Sequence, residues 1–210
     1  MRFDIFKKTL LYVFMTVLAI GMLIPFFWMV STSLKDGNNV FEFPPKWIPN
    51  PIKWSNYAEV WEVVPFAAFA LNSFLLALCV TCGQVLTSAF AAFSFARLNW
   101  WGRDKVFFSY LATMMIPGAV TMIPLFLLLR YLGWIDSYKA IIIPGIFSAY
   151  GTFMLRQFFM GLPTELEDAA RIDGCNLWEI FWNVTIPLSK PALATLSIFT
   201  FLGNWRNFQW

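Results

Sequence analysis

Val63–Ala96 reads VVPFAAFALNSFLLALCVTCGQVLTSAFAAFSFA, 34 consecutive residues without a charged side chain. A helix rises about 1.5 Å per residue, so roughly 20 apolar residues cross about 30 Å of hydrocarbon. The stretch is long enough to traverse a bilayer. Outward from it, Thr9–Leu34 gives 26 uncharged residues and Val106–Leu129 gives 24. Ala140–Leu155 gives 16 and continues apolar past Arg156 through Phe158, Phe159 and Met160. That run spans if Arg156 snorkels to the headgroups. A fifth apolar run opens at Pro191 and continues toward the end of the chain.

Composition supports the same conclusion. The 210 residues are 59% apolar, 20% aromatic and 13% charged, whereas a soluble domain is nearer 45–50% apolar and about 25% charged. A soluble core of this size cannot hide 24 Phe and 11 Trp. Fifteen basic against 12 acidic residues leave no basic footprint for nucleic acid. The absence of His removes most metal sites and the commonest general base. Three Cys argue against a disulfide framework. The expected fold class is all-α, a polytopic membrane helix bundle.

The resulting map places residues 1–8 at a cytoplasmic N-terminus, 9–34 as span 1, 35–64 as an external loop and 65–96 as span 2. Residues 97–105 form a cytoplasmic loop, 106–129 span 3, 130–139 an external loop, and 140–160 span 4. Residues 161–190 form a cytoplasmic loop and 191–210 span 5. The first run is too long for a signal-peptide core and no A-x-A site follows it, so it is read as a retained span. This orientation puts nine Lys or Arg inside, including Arg97, Arg103, Lys105, Arg156, Arg171 and Lys190, against five outside. The loop 35–64, rich in Pro and Trp, is read as a folded interfacial cap.

Polar content within the spans is mild. Asn72, Ser73 and Gln84 are read as helix-packing groups in an Ala-rich surface. Cys79 and Cys82 are read as small packing residues. Pro117, Pro124 and Pro144 interrupt the third and fourth spans, which lipid tolerates where neighbours satisfy the backbone. No carboxylate sits mid-span, so a proton- or sodium-coupled carrier has no evident ion site.

Residues 161–190 hold five of the 12 acidic residues. A helix is expected from Pro163-Thr164 to residue 173, with Thr164 and Glu167 spaced as a capping box and Gly174 as its C′ stop. A second begins at Asn176 with Glu179 as another box, carries the stripe Leu177, Ile180, Phe181 and Val184, and ends at Pro187. A hairpin resting on the bilayer is one reading. The acidic first helix fits poorly there, because interfacial helices favour Lys and Arg. An acidic helix with small residues suits docking into a groove on a partner.

Glu167-Asp168-Ala169-Ala170-Arg171-Ile172-Asp173-Gly174, with Val184-x-Ile186-Pro187 beyond it, resembles the EAA loop of bacterial ABC-importer permeases. Asp168 stands where that pattern has Glu. Asn72-Ser73, Ala96-Arg97-Leu98, Met114-Met115-Ile116-Pro117, Ile123-Pro124, Leu155-Arg156-Gln157-Phe158-Phe159 and Ala192 to Trp205 are similar to carbohydrate-importer permeases of the maltose-transporter type. The resemblance implies the type I importer permease fold and a subunit in the bacterial inner membrane. It implies three partners besides the lipid bilayer: an ATP-binding cassette ATPase dimer, a second permease subunit and an extracytoplasmic solute-binding protein. The solute would be a sugar or related polyol. That subfamily has six spans, so five spans imply a chain truncated within the fifth.

No G-x-x-x-x-G-K-[ST] occurs, so ATP hydrolysis belongs to a partner. Neither cofactor, metal nor catalytic residue is expected. The resemblance assigns ATPase coupling to Glu167, Asp168, Ala169, Ala170, Asp173 and Gly174, with Glu167 or Asp168 pairing to a partner Arg or Lys. Asn204, Trp205 and Asn207 are the candidate solute-pathway residues. Two alternatives use other chemistry. One is a secondary transporter or channel subunit without an ATPase. The other is a membrane-embedded phosphotransferase, since Asp168-Ala-Ala-Arg171 and Asp173-Gly174 resemble the acidic motif of CDP-alcohol phosphotransferases, though no further Asp set follows.

Overall fold

The computed structural model describes residues 2–207, all of whose regular elements are helical. Residues 208–210, the end of the fifth run, lie outside the described residues. The helices are α1 (Arg2–Ser33), α2 (Asn56–Val63), α3 (Phe66–Arg97), α4 (Arg103–Ala112), α5 (Gly118–Tyr131), α6 (Tyr138–Gly145) and α7 (Ala149–Met160). They are followed by α8 (Thr164–Ile172), α9 (Leu177–Ile180), a π-helical turn (Phe181–Thr185), α10 (Ile186–Leu188) and α11 (Lys190–Trp205). The chain divides into two compact units, one ending at Phe69 and one beginning at Ala70.

In the first unit, α1 is a long apolar helix whose segment Ile5–Ser33 has a mean hydropathy of 2.4. Its C-terminal carbonyls need partners that the helix cannot supply. The loop 35–64 supplies them. Asn56 Nδ2 donates to the carbonyls of Ser33 and Lys35 at 2.9 and 2.8 Å, and Lys53 N–H donates to Leu34 at 2.9 Å. Ser31 Oγ donates to the carbonyl of Trp47, whose ring meets Trp28 edge-on at 5.1 Å. Lys35 is buried with its ammonium 4.1 Å from the Trp28 ring centroid, a cation–π contact. Lys53 lies 3.5 Å from both Glu59 and Asp36, and Glu59 first, then Asp36, raises its pKa above the ordinary lysine value.

The second unit is organised around α3. Ala77, Val80, Ser88, Ala89 and Ala92 are buried on one side of it, and glycines across the crossing let the backbones approach. A Cβ on Gly83 would overlap the Ile146 side chain, and one on Gly151 would lie 2.5 Å from Ser88 Oγ. This is the small-residue packing expected of helices in lipid. Cys79 and Cys82 lie instead on the exposed side and are free thiols. Their expected packing role is corrected, because Ala77, Val80 and Thr81 occupy the inward positions around them. Gln84 Nε2 donates to Thr200 Oγ1 at 3.2 Å, Thr87 Oγ1 donates to the Ile146 carbonyl, and Tyr138 Oη donates to Asn72 Oδ1 at 3.0 Å. Asn72 and Gln84 thus join helices, as their sequence context predicts.

The apolar runs take two forms. Ile5–Ser33, Phe66–Arg97 and Tyr138–Met160 are helical stretches long and apolar enough to cross a membrane. The run expected as a plain span at 106–129 is bent by 99° between Met115 and Gly118. Pro117 forces the residue before it out of the helical region, and Ile116 is extended at φ −83°, ψ 115°. Pro124, by contrast, stays inside α5 without ending it. The helix from Leu177 does not stop at Pro187 but continues to Leu188, and joins α11 through a 77° bend. Pro187 has no N–H to offer a carbonyl one turn back. The turn before it is wound wide, with Ile186 N–H donating to Phe181 O, a π geometry that accommodates such an interruption.

Gly83→Leu is expected to destabilise the α3 crossing by about 1–3 kcal/mol through overpacking, read as an earlier thermal transition of the detergent-purified complex. Gly203→Ala, where a Cβ meets nothing within 4 Å, should leave that transition unmoved.

Candidate functional site

α8 carries the acidic motif. Pro163 precedes it at φ −58°, ψ 128°, and no side chain caps the first turn. The expected Thr164–Glu167 capping box is therefore absent. Thr164 is the first helical residue rather than the cap, and the Glu167 carboxylate is drawn elsewhere. Glu167 Oε1 lies 2.9 Å from Arg97 Nε at the end of α3, with the two side chains only 7% and 6% exposed. The Nε–H is not aligned for a hydrogen bond, so attraction between the charges holds the pair. Arg97 Nη2 also donates to the Leu162 carbonyl at 2.7 Å. Removing one partner of such a buried pair costs about 3–5 kcal/mol, because the other charge is stranded.

Helical spacing then sorts the predicted coupling residues into two groups. Residues three apart share a face, and Glu167 and Ala170 are both buried. Ala170 joins the core formed by Ala92, Phe93, Phe159, Phe181 and Leu196. Asp168, Ala169, Asp173 and Gly174 are exposed. Of the two carboxylates expected to meet a partner, Glu167 is held by Arg97 within the chain and Asp168 is the exposed one. Asp168 is 63% exposed and takes an N–H from Arg171 at 3.1 Å. Ile172, which the sequence reading left without a role, is 87% exposed at the tip of the helix.

Gly174 ends α8 as its sequence position predicts. Its φ is +86°, a conformation that costs other L-residues about 1–2 kcal/mol. Gly174 N–H donates to Arg171 O at 3.0 Å and Cys175 N–H to Ala170 O at 2.9 Å, the paired bonds of a Schellman stop. A Cβ there would meet nothing within 4 Å, so the turn faces open space. The second capping box is present in full. Asn176 Oδ1 accepts from Trp178 and Glu179 N–H, while Glu179 Oε2 accepts from Asn176 N–H at 2.7 Å. Of the predicted stripe, Ile180 and Phe181 are buried but Leu177 is exposed. Its neighbour Trp178 stacks on Phe90 of α3 instead, with centroids 5.5 Å apart and planes at 13°.

The solute-pathway candidates also come together. Asn204, Trp205 and Asn207 line a cavity of about 80 Å³ with Ser73, Ala77, Val80 and Ile141. Asn204 Nδ2 donates to the Thr200 carbonyl at 2.8 Å, and the Trp205 ring stacks on Phe201 at 6.0 Å. Ser73 belongs to this cavity rather than to a helix contact of the kind made by Asn72. Among the described residues no group of three or more Cys, Asp or Glu could hold a metal ion.

The chain is thus an apolar multi-helix protein with an acidic helix–turn–helix rooted on one of its helices. The family of binding-protein-dependent transport system inner membrane components matches residues 84–210. The chain is 34% identical over 213 residues to the sn-glycerol-3-phosphate transport system permease protein UgpE of Yersinia pestis, covering 99% of this chain and 74% of that one. It is likewise 34% identical over 212 residues to UgpE of Salmonella choleraesuis, covering 98% and 74%. A solved structure of a bacterial ABC transporter involved in the import of the acidic polysaccharide alginate superposes with a TM-score of 0.84 at 27% identity, over 99% of this chain and 73% of that one. The chain therefore belongs to the family of binding-protein-dependent transport system inner membrane components, as a multi-pass inner-membrane permease of a bacterial ABC importer and not an enzyme. The phosphotransferase and ATPase-free alternatives fall with that assignment.

Gly174→Ala should lower stability by about 1–2 kcal/mol, read as the thermal transition of the purified complex. Gly174→Asn, whose side chain tolerates a positive φ, should lose clearly less.

Proposed function

We propose that α8 is the coupling helix of this permease, docking on a cytoplasmic ATPase through its exposed face, with the chain's N-terminus on that same side. The observation that carries the reading is the division of α8 into a buried root and a bare face. Glu167 and Ala170 anchor it, while Leu166, Asp168, Ala169, Ile172 and Asp173 are exposed. An apolar knob, Ile172, flanked by Asp168 and Asp173, suits an apolar groove bordered by Lys or Arg. Ala169 and the side-chain-free Gly174 allow close backbone approach. As two ATPase subunits close on ATP, they would carry α8 with them and tilt the attached helices between outward- and inward-open states. The second permease subunit completes the pathway and an extracytoplasmic binding protein delivers solute.

The solute in this reading is a small sugar or polyol, including phosphorylated polyols such as sn-glycerol 3-phosphate. Asn204, Trp205 and Asn207 with Ser73 form its contact on this subunit. Amide and hydroxyl groups pair with solute hydroxyls and the indole offers an apolar face, the usual balance of a small-molecule site. The orientation rests on the positive-inside count and on the need for α8 to meet the ATPase.

The test is the full-length complex in proteoliposomes with its ATPase, second permease and binding protein. ATPase stimulation is measured across sn-glycerol 3-phosphate, glycerol, maltose and alginate oligomers. One sugar or polyol should stimulate; stimulation by none of them would overturn the solute class. Ile172→Cys should crosslink to a cysteine-scanned ATPase groove, and the absence of any crosslink would overturn docking. Gly174→Asn, which keeps the turn, should lower uptake per ATP if a bare backbone is required there. Trp205→Ala should raise the KM for the stimulating solute severalfold with the ATPase maximum little changed.

A further inference from the structure

The coupling helix can transmit force only if it is fastened to what it moves, and among the described residues one buried ion pair fastens α8 to α3. Its apolar contact, Ala170 in the core, resists separation but has no preferred direction. The Arg171–Glu167 approach is 4.0 Å with Arg171 half-exposed, and such pairs contribute little. Arg97 differs on both counts. It is buried at the end of α3, Nε faces Glu167 Oε1 at 2.9 Å, and Nη2 donates to the Leu162 carbonyl at 2.7 Å. One rigid planar group therefore grips the chain two residues before α8 and again on its first turn. The hydrogen bond to Leu162 fixes the start of α8, and the buried ion pair with Glu167 keeps its first turn rotated toward Arg97.

On this basis we infer that Arg97 is a positioning residue for transport: its guanidinium makes α8 and α3 a single moving body, so that displacement of the coupling helix by the ATPase is delivered to α3. The inference rests on the coupling reading above. It assigns Glu167 an internal role, that of the handle Arg97 holds, and leaves Asp168 as the carboxylate facing the partner. It also links the two candidate sites, since Ser73 on α3 lines the small cavity with Asn204 and Trp205. A lysine at position 97 would keep the charge but could not meet Glu167 and the Leu162 carbonyl with one planar group.

The experiment uses the complete reconstituted importer carrying Arg97→Gln, Arg97→Lys, or the double change Arg97→Met with Glu167→Met. The double variant removes the charges as a pair and keeps side-chain volume, so the fold is retained. Three quantities are read: Ile172→Cys crosslinking to the ATPase, ATP hydrolysis with and without loaded binding protein, and uptake per ATP of whichever tested solute stimulates the wild type. The expected result for the Met–Met variant is wild-type assembly and crosslinking, ATP hydrolysis no longer gated by binding protein, and uptake per ATP down by about tenfold; Arg97→Gln, which strands the Glu167 charge, should show the same uncoupling together with an earlier thermal transition. Arg97→Lys should fall between. Wild-type coupling in the Met–Met variant would overturn the inference. So would loss of assembly there, which would make the pair a folding element only. Absence of the crosslink in the wild type would instead overturn docking, a separate failure.

Discussion

The geometry of α8 depends on a buried charge pair between Arg97 and Glu167, 70 positions apart in the chain. A carboxylate and a guanidinium taken from water each lose several kcal/mol of hydration, recovered only when geometry and further hydrogen bonds are favourable. Here the recovery comes from the Glu167 carboxylate on one side and the Leu162 carbonyl on the other. The pair therefore specifies one placement of the helix rather than adding much net stability. Rotating α8 enough to expose Glu167 would strand Arg97, and would lift Ala170 from the core. The outward face of α8 is thus set by what its inward face must satisfy.

The rest of the second unit combines close packing with breaks in the helices. Where α3 meets the helices at Ile146 and Gly151, small residues bring backbones together and leave little room for sliding. Bends lie elsewhere, at Ile116-Pro117 and at Ser189 before α11. Thr185 and Ser189 are fully buried beside the second bend, and their hydroxyl oxygens have no hydrogen-bond partner among the described residues.

Much of this was legible in the sequence because it is local. The uncharged runs gave the apolar helices, Gly174 gave the helix stop, and Asn176 with Glu179 gave a capping box that forms in full. What failed was local inference at residues with distant partners. Thr164 and Glu167 have capping-box spacing, but Arg97 competes for the carboxylate and wins because burial strengthens its charge. Leu177 fits the helical stripe, yet Trp178 meets Phe90, since a ring on α3 lies beside it. Pro187 has the sequence context of a terminus, yet the helix runs through it to Leu188, because the π turn at Phe181–Thr185 accommodates the missing N–H. Period and charge alone do not identify Ile172 as the exposed tip; that required knowing which way α8 is turned.

If Arg97 joins them as inferred, α8 and the end of α3 move together through the transport cycle. Spin labels at Asp168 and Asn99, with a third on the second permease subunit, allow the distances to be compared in nucleotide-free and ATP-trapped complexes. An unchanged 168–99 distance, alongside a shift of both labels relative to the second permease subunit, is the predicted result. A 168–99 distance that changes with nucleotide as much as either label's distance to that subunit would contradict the account.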